Sequence, residues 1–308
     1  MMELYQLRSF VAVAREGALT RAAEKVYASQ SAVSGHIKSL EDELGVHLFR
    51  RTAKGMELTP AGRQLLDKAA TILETAESLT REAASLRDEV RGVLRVSVNT
   101  DFSYLRLASI GRRLAARWPE LEVHYLLTQS HLTPGLVQSG EVDLGFLFGN
   151  WSHKASEDMR FVELDTTPLR IIGPVDWTEQ LAKADLQEIM HLPWITNPTT
   201  CPHFEVTRRV FAEHNLSPKV AGVTDSEDVL VELASQGMGV TVVKESDALT
   251  HAAAGRVCMW PHVFSTLPLS LAVLSQRMQE PAPKAFLDEA IAVWKEEAPA
   301  TPHSSCAR

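Results

Sequence analysis

The chain lacks most of what would mark it as secreted, membrane-spanning or catalytic. Cysteine is scarce: Cys201, Cys258 and Cys306 lie far apart among 308 residues, with no CxxC pair. This excludes a disulfide framework and shows no metal-site spacing; it suits a reducing compartment. A redox role for Cys201 stays open beside the plainer reading, an ordinary thiol. No apolar run approaches the roughly 20 residues that span a bilayer. The opening Met1-Met2-Glu3-Leu4-Tyr5-Gln6 does not read as a signal peptide. The expected address is the cytoplasm, with no membrane partner. Catalytic signatures are missing as well: there is no GxSxG, HExxH or P-loop. Gly237-Met238-Gly239 follows a helical pattern and lacks a third glycine, so it is not a dinucleotide fingerprint. His124 alternates within a strand pattern and reads as structural. No metal and no cofactor are expected.

Positive charge is also short, at a net −8. Its distribution is uneven. Residues 1–58 hold 8 Lys and Arg against 7 Asp and Glu, a net +1, so the remainder carries −9. The length allows two domains with sizeable cores, and 45% apolar residues is ordinary for a globular chain.

What is present begins with residues 18–45. Thr20 is read as the N-cap of a short helix whose apolar face is Ala22, Ala23 and Val26. Tyr27-Ala28 breaks the run, and Ser29 caps a second helix. In that helix Val33, Ile37, Leu40 and Leu44 recur at helical spacing and mark a buried face. Gln30, Ser31, Ser34, Gly35, Lys38 and Asp42 mark the other. A helix with short polar groups and a cation near its start fits a DNA major groove. An ordinary helical hairpin with a solvated face fits these two helices equally. The stretch Phe49–Leu58 then reads as a β-ribbon around Ala53-Lys54-Gly55, with Arg50, Arg51 and Lys54 as cations for phosphate. A first helix, with Leu4, Leu7, Phe10, Val11 and Ala14 inward, is stopped by Gly17.

These residues carry a resemblance. Ala22-Ala23, Ser29-Gln30-Ser31-Ala32-Val33-Ser34, Ile37, Leu40-Glu41, Leu44-Gly45, Leu48-Phe49-Arg50-Arg51 and Leu58-Thr59-Pro60-Ala61-Gly62 resemble the N-terminal signature of LysR-type transcriptional regulators. The resemblance implies a winged helix-turn-helix that reads double-stranded DNA. Gly35 departs from it, standing where the family usually has a longer polar side chain.

Thr59 and Pro60 open a long helix expected to reach about Val90. Leu65, Ala69, Ile72, Ala76, Leu79, Ala83, Leu86 and Val90 alternate spacings of four and three, a heptad seam. It is read as a dimerisation seam through Leu65, Ile72, Leu79 and Leu86, against the alternative of one amphipathic helix packed on its own domain. A two-fold dimer calls for a pseudo-palindromic site. The family resemblance adds a homotetramer as the common assembly.

Beyond Arg91-Gly92 strand and helix patterns alternate. Strands are expected at 93–98, 121–127, 142–148, 167–174, 192–196, 219–223, 240–243 and 267–274. Helices are expected at 104–118, 132–138, 178–190, 204–214, 225–236 and 285–294. Here Leu233-Ala234-Ser235-Gln236-Gly237-Met238-Gly239-Val240 resembles the family's second-subdomain motif, and Lys244 stands where many members have proline. The resemblance implies two α/β subdomains similar to periplasmic solute-binding proteins. The expected layout is a DNA-binding domain at 1–59 and a linker helix at 60–90. An effector-binding domain follows at 91–297, with subdomain I at 91–166 and 266–297 and subdomain II at 167–265. A flexible tail, 298–308, ends it.

Ligands in α/β sheets sit beyond the carboxyl ends of strands. That rule selects Thr100 and Ser103, Thr128 and Gln129, Thr199, Thr200 and Cys201, and Thr224 for a small-molecule effector. His203 and Arg208 favour a carboxylate there, and Asp101 and Asp225 oppose one. The competing reading is a cytoplasmic α/β solute-binding or enzymatic protein with an unrelated helical N-terminus.

Overall fold

The computed structural model describes residues 2–52, 55–85, 89–99, 104–151 and 156–296. They form two compact units, Met1–Glu89 and Val90–Arg308.

The first unit opens with α1 (Leu4–Glu16), which has a capping box between Glu3 and Gln6 and ends at left-handed Gly17. Helix α2 (Leu19–Lys25) follows. Its N-cap is Ala18, not Thr20, because the Ala18 carbonyl already accepts the Ala22 N–H. Helix α3 (Gln30–Leu44) is capped by Ser29, whose Oγ accepts from the Ala32 N–H at 3.1 Å. Val33, Ile37 and Leu40 are buried against Leu7, Phe10, Val13 and Ala22. Leu44, expected with them, is 38% exposed, since it falls in the last turn before the chain swings away at left-handed Gly45.

The ribbon forms as expected: β1 (Phe49–Thr52) pairs antiparallel with β2 (Gly55–Leu58). Gly55 has φ 128°, and a Cβ there would lie 2.4 Å from the Gly17 carbonyl oxygen. That carbonyl accepts the Met56 N–H, so a bare backbone at Gly55 is what lets the ribbon dock beside the end of α1.

Thr59 Oγ1 accepts the Gly62 N–H at 2.9 Å and caps α4 (Pro60–Ser85). The seam divides. Ala69 is buried in the core of its own unit, with Leu65, Leu66 and Leu73 packed on it, whereas Ile72 is 40% and Leu79 70% exposed. Leu86 lies outside the described residues. Glu89 and Val90 are not helical, so the helix stops short of the expected end as the chain enters the next strand.

The second unit is built on a sheet that, among the described residues, has seven strands. Its order is β10 (Cys258–Met259), β6 (Met159–Gly173), β11 (Ser265–Leu274), β5 (Leu144–Phe148), β3 (Gly92–Val98) and β4 (Leu121–Leu127). The seventh, β9 (Thr241–Lys244), pairs with β6. β3 runs parallel to β4 and β5. A second sheet pairs β7 (Pro193–Thr196) with β8 (Lys219–Val223), and a bridge from Trp194 to Val240 ties it toward β9.

The long antiparallel strands β6 and β11 tie the halves together. β6 pairs with β11 from Met159 to Leu169 and with β9 from Leu169 to Ile172. Around the first half lie α5 (Leu107–Arg117), α6 (Thr133–Gln138) and α12 (Pro281–Glu296). The second half carries α7 (Thr178–Lys183), α8 (Leu186–Met190), α9 (Pro202–Glu213), α10 (Glu227–Ser235) and α11 (Glu245–Ala253).

Several expectations change. The strand expected at 167–174 is the end of β6, which starts at Met159, and β10 has no counterpart among the expected elements. The single helix at 178–190 is two, because Asp185 forms a capping box with Glu188 and starts a new helix. The helix expected from Tyr104 begins at Leu107, after left-handed Arg106. Helix α11 has no counterpart among the expected elements.

Candidate functional site

Two regions carry the chemistry. In the first unit, Gln30, Ser31, Gly35 and Lys38 are exposed on α3, and Ser34 is partly so. A Cβ added at Gly35 would meet nothing within 4 Å, so the missing side chain leaves open space on this face. Ser29 Oγ and Ser31 Oγ lie 3.0 Å apart at the helix start. Behind the face, Gln6 donates to Ser39 Oγ at 3.0 Å, and Ser9 Oγ meets His36 Nδ1 at 2.8 Å. These bonds fix α3 on α1.

On the ribbon Arg51 is exposed. Arg50 is tied across the strands to Glu57, at 2.8 and 3.1 Å, so one of the expected cations is partly neutralised. Lys54 lies outside the described residues. Two further residues shape this region. Glu41 Oε1 accepts the Leu48 N–H at 2.6 Å and the Phe49 N–H at 3.1 Å, which pins the ribbon's first strand to α3. Tyr27 is left-handed (φ 52°) and 99% exposed at the turn before α3. A large aromatic side chain held in that conformation in full solvent is unusual. Its strain-prone position, just ahead of the Ser29 cap, is the available signal.

In the second unit a cavity of about 480 Å³ opens where strand ends from both halves meet. The size suits a small metabolite. Thr128, Gln129, Thr200 and Cys201 all line it. Thr199 is exposed off the wall, and Thr224 turns inward to its own backbone, accepting the Ser226 N–H at 3.2 Å. Thr100 and Ser103 lie outside the described residues, as does Asp101. Across the cleft, Gln129 Nε2 donates to Asp225 Oδ2 at 3.3 Å. This bond joins the turn after β4 to the turn after β8.

Sequence reasoning misses the floor. Lys244, at the carboxyl end of β9, is 2% exposed. Its Nζ donates to Glu227 and lies 3.1 Å from Asp247 Oδ2. Applying the strand-end rule to β9 would have found it. Cys201 Sγ is 3.7 Å from His203 Nδ1, and burial pushes its thiol up, which disfavours the thiolate. Burial likewise pushes the Asp247 carboxyl up, against the opposing pull of Lys244. Among the described residues no group of three or more His, Cys, Asp and Glu is placed to hold a metal ion, and no helix is long and apolar enough to cross a membrane.

Known proteins match both regions. Residues 4–63 match the family described as bacterial regulatory helix-turn-helix protein, lysR family, and residues 87–295 match the LysR substrate binding domain. The HTH-type transcriptional regulator ClcR of Pseudomonas putida is 31% identical over 80% of this chain and 84% of its own length. YofA of Bacillus subtilis, also an HTH-type transcriptional regulator, is 27% identical over 85% of this chain and 87% of its own.

Among solved structures, a full-length OxyR variant from Pseudomonas aeruginosa superposes with a TM-score of 0.69 at 22% identity, covering 96% of this chain and 95% of that one. Full-length CbnR in complex with its target DNA gives 0.63 at 23% identity, covering 94% and 99%. These likenesses in fold extend over nearly the whole of both chains. The two family matches take in both regions of the chain, so the N-terminal helices belong with the α/β part and are not an unrelated addition. The chain belongs to the LysR family of bacterial helix-turn-helix proteins: it is a DNA-binding transcriptional regulator with an effector-binding domain.

Proposed function

We propose that α3 reads the operator through Gln30, Ser31 and Ser34, with Lys38 and Arg51 on flanking phosphates. The second half of α4 pairs two chains through Ile72 and Leu79, so the operator is a pseudo-palindrome. A small-molecule effector in the cleft sets the regulatory state. The protein acts in the cytoplasm by binding, not by catalysis. Contacts through the α/β units would extend the dimer to a tetramer.

The observation that carries the effector reading is the cleft itself: strand-end turns from both α/β halves contribute to its wall, and Gln129 already reaches Asp225 across it. A ligand held between two halves can act only through unequal affinity for two of their arrangements. That difference in free energy must be shared with DNA binding, and the coupling is reciprocal.

The test is a thermal-shift screen of the full chain with a metabolite panel, followed by calorimetry on any ligand found. Thr128→Val and Thr200→Val keep the volume but lose the hydroxyl, and each should weaken the ligand by about 1–3 kcal/mol where its polar partner is left buried. A ligand indifferent to both substitutions would place the effector elsewhere.

A further inference from the structure

The charges on the cleft wall do not suit a carboxylate. Arg208, expected to favour one, pairs instead with Glu205 at 2.7 Å and is not on the wall. Among the described residues, Lys244 is the one Lys or Arg that lines the cavity. It is already engaged by Glu227 and Asp247. Asp225 and Asp228 add two more carboxylates, so the wall has four acidic side chains against one ammonium and the imidazoles of His131, His203 and His251, of which His203 is the one expected to favour a carboxylate. The positive end of α10 does not offset this, because Glu227 and Asp228 occupy its first turn.

A second observation comes from the floor. Glu227 Oε2 accepts from Lys244 Nζ, while Oε1 is buried and takes no N–H donor among the described residues; its neighbour there is the Asp247 carboxyl. A buried acceptor of that kind costs free energy until a donor reaches it. A ligand carboxylate approaching Lys244 would meet Glu227 and Asp247 beside it. A ligand ammonium or guanidinium would give Glu227 Oε1 its donor and the acidic wall its missing positive charge.

We propose that the effector is a small organic cation, an amine or guanidine, whose charged group lies against Glu227 with Asp247 and Asp225 around it. This rests on the cleft being the effector site. Lys244 has the supporting part: it holds Glu227 and Asp247 in place and keeps their mutual repulsion tolerable while the cleft is empty.

The experiment is calorimetric titration of the full-length protein, at neutral pH and fixed salt, with cadaverine, agmatine, 1,5-pentanediol and glutarate. At least one of the two cations should bind about tenfold or more tightly than the diol, and glutarate should be weakest. Glu227→Gln should lower the cation's affinity by about tenfold and leave the diol unchanged. Because that change also removes charge from the buried Lys244 cluster, the exposed pair Asp225→Asn with Asp228→Asn serves as a second variant, with a loss of about threefold. Glutarate binding most tightly, the diol matching the cations, or neither cation binding at about 10 mM overturns the proposal. Glutarate weakened by Thr128→Val would overturn the charge class and leave the cleft standing as the effector site. Ligands indifferent to every cleft substitution would overturn both.

Discussion

Gly35 leaves open space on the outer face of α3, where any side chain would point away from the protein. In an exposed helix interior, glycine costs about 1 kcal/mol relative to alanine. Gly35→Ala should therefore raise the thermal midpoint, by an amount equivalent to roughly 0.5–1 kcal/mol, in a denaturation scan of the full chain. An unchanged or lower midpoint would mean that this turn of α3 is not the regular helix described. Ser34 and Arg51 divide differently. Ser34→Ala should cost about 1–3 kcal/mol of discrimination between operator and random DNA, whereas Arg51→Ala should weaken both alike. Gel-shift competition with the two DNAs separates these outcomes.

At the scale of elements, the ribbon depends on α3 through Glu41. Its carboxylate accepts two backbone N–H groups at the start of β1. Glu41→Ala leaves both donors without that acceptor, at a cost of about 1–3 kcal/mol. The loss should appear as faster amide exchange at Leu48 and Phe49 while α1 stays protected. Equal exchange at these residues in the mutant and the wild type would show that the ribbon is held by other means.

The elements themselves are largely legible in the residues. Ser29, Gly45, Thr59 and Pro60 mark helix ends because caps are local chemistry, set by one side chain and the next turn. Thr20 and the stretch 178–190 mislead for the same reason. A backbone carbonyl at Ala18 and a capping box at Asp185 decide those boundaries, and sequence spacing does not reveal which of two nearby caps wins. In the candidate site, Thr128, Gln129, Thr200 and Cys201 follow from strand ends, and so would Lys244 at the end of β9. Its meeting with Glu227 and Asp247 does not, because that depends on how β9, α10 and α11 pack in three dimensions.

At the scale of the molecule, the proposed dimer seam lies on the second half of α4. Ile72 and Leu79 are apolar and exposed on a helix whose earlier turns are packed on their own core. Leu79→Asp puts one like charge from each chain into the proposed seam, at a cost of several kcal/mol. The mutant should sediment as a monomer and lose tight operator binding. A mutant that remains dimeric would move the interface. The charge of residues 1–58 argues the same way. With a net +1 over residues 1–58, a single DNA-binding domain has little electrostatic hold, and two half-sites read together give the avidity that one lacks.

The most direct test of the central claim, that the chain reads DNA through α3 and the ribbon, is a fluorescence-anisotropy titration of the full-length protein across a series of salt concentrations. It uses the genomic fragment the protein selects from a pool, with a shuffled fragment as control. Binding to the selected fragment should be tighter by about 10³-fold or more, with the logarithm of affinity falling linearly as the logarithm of salt rises. Arg51→Ala should flatten that slope by roughly one unit, the share of a single phosphate. Equal affinity for both fragments in the wild-type protein, with a slope that Arg51→Ala leaves unchanged, would contradict the claim.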